Sequence, residues 1–215
     1  TEYICNIALG FIMFYGGFNT KWKTARPVAV KAVLLSTCGV ILTAAFTMLF
    51  CYFVLRFPIA ESFLVGAVLS ATDAASVFAI LRRKKLNLKD GVASLLEIES
   101  GSNDPIAYML TVIGIYILNG DNLIKVPYVI FAQIVYGVLI GIGLAVAAIY
   151  VLTRTDIIVN GLDTIFILAV VLLGLGLSQL VGGNEFLCIY LFGILLGNSR
   201  IRNKGNIVPF FDGVT

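Results

Sequence analysis

The chain has 215 residues, of which 60% are hydrophobic and 13% are charged, and it contains no histidine. Its mean hydropathy is +1.00 and its apolar residues form long runs, so the composition excludes an ordinary soluble domain and indicates a membrane protein. The net charge of +3 does not predict a nucleic-acid partner, because the basic residues lie between the apolar runs, where membrane topology explains them. Without histidine or a CxxC motif, we expect neither a transition-metal site nor a cofactor.

Seven apolar stretches follow one another along the chain, and we interpret each as a helix that crosses the bilayer. The predicted fold class is therefore all-α, a polytopic transmembrane helical bundle. The first residues lack a basic segment and a cleavage site, so we expect no signal peptide and a chain that begins mid-protein. The predicted spans cover about residues 3–19, 28–55, 59–81, 92–118, 126–152, 162–181 and 185–197, the last of which is short.

The basic residues predict the orientation of these spans. The first, third, fifth and seventh connections hold 13 of the 15 Lys and Arg residues, so the positive-inside rule places them in the cytoplasm and the N-terminus outside. Glycine pairs at spacing four, Gly137 with Gly141 and Gly193 with Gly197, predict helix faces that approach one another closely.

Four carboxylates interrupt the third and fourth apolar stretches: Asp73, Glu97, Glu99 and Asp104. A charged side chain at bilayer depth is costly, so such residues indicate an ion or proton path. Asp73 lies about 13 Å from the cytoplasmic loop that begins at Arg82, and Asp104 lies about 18 Å along its own helix, at 1.5 Å per residue. Because the two helices run in opposite directions from that loop, we expect Asp73 and Asp104 to face one another.

The fourth span has one strongly polar side. Residues three or four apart share a helix face, which groups Glu97, Ser100 and Asp104 on one line and Glu99 with Asn103 on the next. The residue that follows Asp104, Pro105, has no N–H and disfavours a helical Asp104. The carbonyl of Gly101 is therefore expected to lose its helix partner and to become available to a cation.

The third span offers oxygen ligands at Ser70, Thr72 and Asp73, provided that the backbone unwinds locally. Alkali cations prefer such oxygens, and non-helical backbone at this depth is typical of ion-coupled transporters. No Lys or Arg of the spans lies near the carboxylates, so a cation or protons are the simplest neutralising partners, and competition between them would give exchange.

Other interpretations stay open for individual residues and for the protein. Glu99 and Asn103 could bond each other and only support the helix, and Glu97 could pair with the basic loop. A cation channel or uncoupled pathway is the main alternative function. An intramembrane enzyme would use Ser100 or Ser102, but no histidine or deep lysine could activate them. A structural module would not explain Asp73 and Asp104.

Two segments, SATDAASVFAILR at residues 70–82 and LEIESGSNDPIAYMLT at residues 96–111, resemble the CPA1 group of cation:proton antiporters, specifically the potassium/proton antiporters of the cell-volume-regulation A type. NEFLCIYLFGILLGNSRI, from residue 184, is similar to a later family helix. The resemblance implies an inverted-repeat antiporter fold with a broken helix near Thr72 and Asp73. It also implies a homodimer in a cell membrane that moves like an elevator.

By position, the resemblance assigns the alternating cation and proton site to Asp104, Asp73, Thr72 and Ser100. It gives Asn103 and Glu99 supporting roles, to which we add Glu97 and Gly101. It implies electroneutral exchange of potassium, or alternatively sodium, for protons. The sequence departs from many relatives at Tyr15, where they have a carboxylate, and at Ala74, where they have proline. Residues 1–215 are expected to be part of the transmembrane domain, with later helices beyond Thr215.

Overall fold

A computed structural model describes residues 2–72, 92–154 and 162–201 of the chain. These residues form seven α-helices and one short 3-10 helix, with no β-strand among them. The predicted all-α class is thus confirmed. The helices are α1 (Glu2–Asn19), α2 (Trp22–Phe53), α3 (Ile59–Val68), α4 (Val92–Leu118), α5 (Val126–Arg154), α6 (Asp163–Leu180) and α7 (Glu185–Asn198), and the 3-10 turn Leu123–Lys125 leads into α5.

The seven helices correspond one to one with the predicted spans. Among the described residues, three stretches are long and apolar enough to cross a membrane: Ala25–Phe53, Leu123–Arg154 and Asp163–Leu180. The third span differs most from its prediction, because α3 ends at Val68 and the backbone at residues 71 and 72 is not helical. Its predicted remainder, residues 73–81, lies outside the described residues.

The chain divides into two compact units. The first contains Thr1–Trp22 and Phe131–Thr215, and the second contains Lys23–Ile130. Each is built on close contacts between helices.

In the first unit, α1 and α7 pack side by side in parallel. Asn6 bonds to Glu185 near the start of both helices, and Asn198 bonds to the carbonyl of Thr20 at 2.8 Å near their ends. Between these polar contacts, Gly193 lies against the carbonyl oxygen of Phe14 and Gly197 against that of Phe18, with no room for a side chain. If seven spans cross the membrane in alternating directions, the first and the seventh run in the same direction, as α1 and α7 do.

The other predicted glycine pair packs α5 against α7 in the same unit. A methyl group on Gly137 would meet the carbonyl oxygen of Asn184 at 2.8 Å, and one on Gly141 would meet that of Cys188 at 2.6 Å. Both glycine pairs therefore lie at close helix contacts, as the sequence predicts.

In the second unit, the described helices are α2, α3 and α4, followed by the 3-10 turn and the first residues of α5. Buried Ala25 and Ala32 of α2 form a small apolar core with Ile98 of α4. Helix α3 is antiparallel to α4, because Leu64 packs against Gly114 while Thr72 bonds to Ser100 near the other end. This arrangement brings the residues that follow α3 to the polar side of α4.

Candidate functional site

The site begins where α3 stops. The Ser70 hydroxyl donates to the carbonyl of Ala67 at 2.6 Å, and the Ser70 N–H bonds to the same oxygen at 3.3 Å. Two donors from Ser70 thus satisfy a carbonyl that the helix leaves without a partner. The chain leaves the helix at this point, two residues before Thr72.

Three side chains of α4 converge on Thr72. The Asn103 amide donates to the backbone carbonyl of Thr72 at 3.1 Å and to its hydroxyl oxygen. Ser100 donates to the same carbonyl at 3.4 Å, and the Thr72 hydroxyl donates to Oε1 of Glu99 at 3.4 Å. The two 3.4 Å bonds are long and therefore weak, so Asn103 makes the main connection between Thr72 and α4.

The hydrogen bonds of Thr72 occupy most of its oxygen lone pairs. Its carbonyl accepts from both Asn103 and Ser100, which fills both lone pairs, whereas its hydroxyl oxygen accepts from Asn103 only and keeps one lone pair. Asn103 is fully buried, and its Oδ1 has no hydrogen-bond partner among the described residues. Between Thr72 and Asn103, the oxygens left to accept are thus the Thr72 hydroxyl and Asn103 Oδ1.

The residues predicted on α4 lie where their spacing places them. Asp104 follows Asn103 directly, is half-buried and makes contacts within the structure. Glu99, Ser100 and Gly101 are also half-buried, on the two helical turns that meet Thr72. The structure brings Thr72, Glu99, Ser100 and Asn103 together, with Asp104 next along the chain.

Two predicted carboxylates cannot be placed. Asp73 lies outside the described residues, and at Glu97 only the helical backbone is described. The expectations that Asp73 faces Asp104 and that Glu97 pairs with the basic loop therefore stay predictions. Among the described residues, no group of three His, Cys, Asp or Glu side chains could hold a metal ion.

Two local expectations need correction. Helix α4 is continuous from Val92 to Leu118, so Pro105 does not prevent a helical Asp104. Tertiary packing overrides the local preference, since both Asn103 and Pro105 are buried, although Gly101 still lacks a bond from residue 105. Glu99 and Asn103 each bond Thr72 instead of each other, because the end of α3 lies within reach of both.

One buried carboxylate was missed by sequence reasoning. Glu185, the first residue of α7, is 2% exposed and accepts a hydrogen bond from Asn6 at 2.8 Å. The predicted seventh span begins at Glu185, directly after the loop between the sixth and seventh spans, but the sequence analysis gives this carboxylate no role. The available signal was that this loop is only four residues long and carries no basic residue.

Comparison with known proteins identifies the family. The family model described as "Sodium/hydrogen exchanger, transmembrane" matches residues 1–214. The chain is 35% identical to the K(+)/H(+) antiporter NhaP2 of Shewanella sp. (strain ANA-3) and 34% identical to the K(+)/H(+) antiporter NhaP of Alkalimonas amylolytica, over 99% and 98% of its length. It spans only 37% of the length of each relative.

A solved structure shows the same fold. The sodium proton antiporter MjNhaP1 from Methanocaldococcus jannaschii, at pH 8, matches 99% of this chain with a TM-score of 0.81 at 22% identity, and the match covers 54% of that protein. The predicted antiporter fold is therefore confirmed, and the relatives named above are ion antiporters, in agreement with the predicted family. By sequence and by fold, this chain belongs to the transmembrane sodium/hydrogen exchanger family.

Proposed function

We propose that the full-length protein is a secondary active antiporter that exchanges a monovalent cation for protons, with potassium favoured and sodium as the other candidate. Family membership supports the coupling of cations to protons. Two relatives at 34% to 35% identity are named potassium/proton antiporters, whereas a probable Na(+)/H(+) antiporter of Methanocaldococcus jannaschii is 25% identical. This difference in similarity favours potassium.

The observation that carries the proposal is the attachment of Thr72 to the polar side of α4. Asn103 binds both oxygens of Thr72, and the residue after Asn103 is the carboxylate Asp104. The non-helical backbone after α3 thus lies against the turn of α4 that carries Asp104. A charged side chain at bilayer depth is costly unless an ion or a proton neutralises it. We assign cation and proton binding to Asp104 and Asp73, with the Thr72 and Ser100 hydroxyls as further ligands.

The proposed chemistry is competition for the same carboxylates. In this proposal, a bound cation balances the charge of an ionised Asp104. When no cation is bound, a proton neutralises the group instead. A carrier that crosses the membrane only in these two neutral states exchanges one ion for the other. Asn103, Glu99, Glu97 and Gly101 hold the backbone in place.

The setting of this activity is part of the proposal. The apolar helices and the family make the chain a segment of a multi-pass membrane protein. We further propose a plasma or inner membrane location and a homodimer in which the ion-binding unit moves like an elevator. The transported cation and proton are the small partners of this activity.

A cation channel or an uncoupled pathway is the alternative. It would pass potassium without moving protons in a fixed ratio, and it would need a continuous pore with a selectivity ring. Measuring proton and potassium flux together in proteoliposomes separates the two, since only an antiporter gives a constant ratio. Comparing potassium, sodium, lithium and rubidium in the same assay determines the cation.

Replacing Asp104 with Asn tests the site directly. In everted vesicles that contain the full-length protein, Asp104→Asn should abolish cation-evoked proton movement, because the amide holds neither a proton nor a counter-charge. The control is Asp121→Asn, the same change at an exposed position beyond the end of α4, which should leave exchange unchanged. Normal exchange by Asp104→Asn would defeat the assignment.

A further inference from the structure

The first unit contains a buried carboxylate that the proposed exchange does not use. Glu185 begins α7, only 2% of its surface is exposed, and its Oε1 accepts a hydrogen bond from the side-chain amide of Asn6 at 2.8 Å. Its neighbour Asn184 is fully buried and caps the helix by accepting from the N–H of Leu187 at 2.9 Å. The carboxyl group is therefore held in a packed and capped position.

This position lies inside the apolar region and not at its edge. The N–H of Asn184 bonds to the carbonyl of Gln133 at 2.9 Å, and Gln133 is seven residues, or about 10 Å, along α5 from Val126. The turn between α6 and α7 is thus recessed along α5, which accounts for the shortness of α7. Glu185 begins at this depth.

The described helices around Glu185 carry no basic side chain that could neutralise its carboxylate. Within the first unit, α1 from Tyr3, α5 from Phe131 to Thr153 and α6 from Thr164 contain no Lys, Arg, Asp or Glu. Their titratable groups are tyrosines and a cysteine, and α7 adds Cys188 and Tyr190. The groups on α1 and α5 are Tyr3, Cys5, Tyr15, Tyr136 and Tyr150, of which Tyr136 packs against Gly183 in the turn.

Without a basic partner, the neutral form of the carboxyl group is favoured. Its position in the first turn of α7 and its bond from Asn6 both favour the charged form, but these effects are smaller than the cost of removing an unpaired carboxylate from water. A proton removes that cost.

Gln133 provides a second and independent indication. Its side chain is 3% exposed, and neither its amide oxygen nor its amide nitrogen is hydrogen bonded among the described residues. Gln133 lies one turn before Gly137, on the face of α5 that contacts Asn184. Asn184 directly precedes Glu185 in the chain. A buried amide oxygen needs a donor, and a protonated carboxyl group can be that donor whereas a carboxylate cannot.

We propose that Glu185 is a second proton-binding site, separate from the cation site, in which Asn6 holds a protonated carboxyl group within the first unit and the amide oxygen of Gln133 is the candidate acceptor for its proton. The ligand is a proton, bound to one carboxyl oxygen while the other accepts from Asn6. This inference does not rest on the proposed exchange, because it concerns a different unit and a different carboxylate.

Infrared spectroscopy of the purified full-length protein at neutral pH tests the proposal. A protonated carboxyl group has a carbonyl stretch, shifted in D2O, that a carboxylate lacks. Subtracting the spectrum of Glu185→Gln from that of the wild type should reveal this band. Subtracting the spectrum of Glu61→Gln, the same change at an exposed glutamate in the first turn of α3, should not. If Glu185→Gln removes only carboxylate bands, the group is ionised and the proposal is overturned.

Two further variants keep the test decisive. Asn6→Ala removes the hydrogen bond to the carbonyl oxygen and should move the band to higher frequency, even if Glu185→Gln does not fold. An unshifted band would contradict the assignment. Asp104→Asn should retain the band, so a failure of the exchange mechanism and a failure of this proposal give different results.

Discussion

At the scale of single residues, the polar side of α4 could be predicted and its partner could not. Helical spacing alone groups Ser100 with Asp104 and Glu99 with Asn103. The convergence of Glu99, Ser100 and Asn103 on Thr72 depends on the place where α3 ends, which is a tertiary property. Glu185 was missed for a similar reason: its burial arises from helices α1 and α5, which are distant in sequence.

The central role of Asn103 leads to a prediction about stability and exchange. Asn103→Ala removes both bonds to Thr72 and leaves its carbonyl with only the weak bond from Ser100. We expect a loss of about 1–3 kcal/mol of stability, together with impaired exchange. Thermal unfolding in detergent and the vesicle assay measure these effects.

The matched control is Asn119→Ala, at an exposed position just after α4, which should change neither quantity. Thr72→Val keeps the carbonyl bonds and should cost less than Asn103→Ala. In a double-mutant cycle the two changes should be coupled, because they remove opposite sides of one contact. Independent effects of the two changes would show that Asn103 does not act through Thr72.

At the scale of helices, the long apolar runs predicted the number and position of the helices well. The polar residues within those runs predicted the ends and breaks of helices less well. Glycine spacing correctly predicted the close contacts of Gly137, Gly141, Gly193 and Gly197. Local rules failed at Pro105, which lies within a continuous α4. The sequence predicted the end of α3 only as unwinding near Thr72, since the next residue, Leu69, is still apolar and the apolar run resumes after Asp73.

Glycine packing between α1 and α7 gives a second prediction. Gly197→Ala would place a methyl group against the backbone carbonyl of Phe18, and because backbone cannot move aside as a flexible side chain can, we expect a loss of about 1–3 kcal/mol or more. The control, Gly176→Ala, enters open space within α6 and should be neutral or stabilising by up to about 1 kcal/mol. Equal melting temperatures of the two purified variants would refute the packing model.

At the scale of the whole molecule, the sequence predicted seven helices, their order and the family to which they belong. Composition alone indicated a membrane protein, and the pattern of Lys and Arg predicted the side of each connection. The parallel contact of α1 with α7 agrees with that alternation. The division into two units was not predicted, because it depends on which helices pack together and not on the character of any one of them.

Orientation gives a third prediction. In a full-length protein whose native cysteines have been replaced, Asp121→Cys should react with an impermeant maleimide added to intact cells, because it follows the fourth span on the outer side. Lys21→Cys follows the first span on the cytoplasmic side, and it should react only after the membrane is permeabilised. Both positions are exposed, so access to the reagent depends on sidedness alone. The reverse pattern would invert the proposed topology.

Competition between a cation and a proton for the carboxylates of the second unit is the central claim. The most direct test is the apparent KM for potassium of the full-length protein, measured in proteoliposomes at a series of pH values equal on both sides. If the ions compete, KM should rise by up to about tenfold for each pH unit on the acid side, while the maximal rate stays nearly constant. A KM that does not change with pH would contradict a shared site.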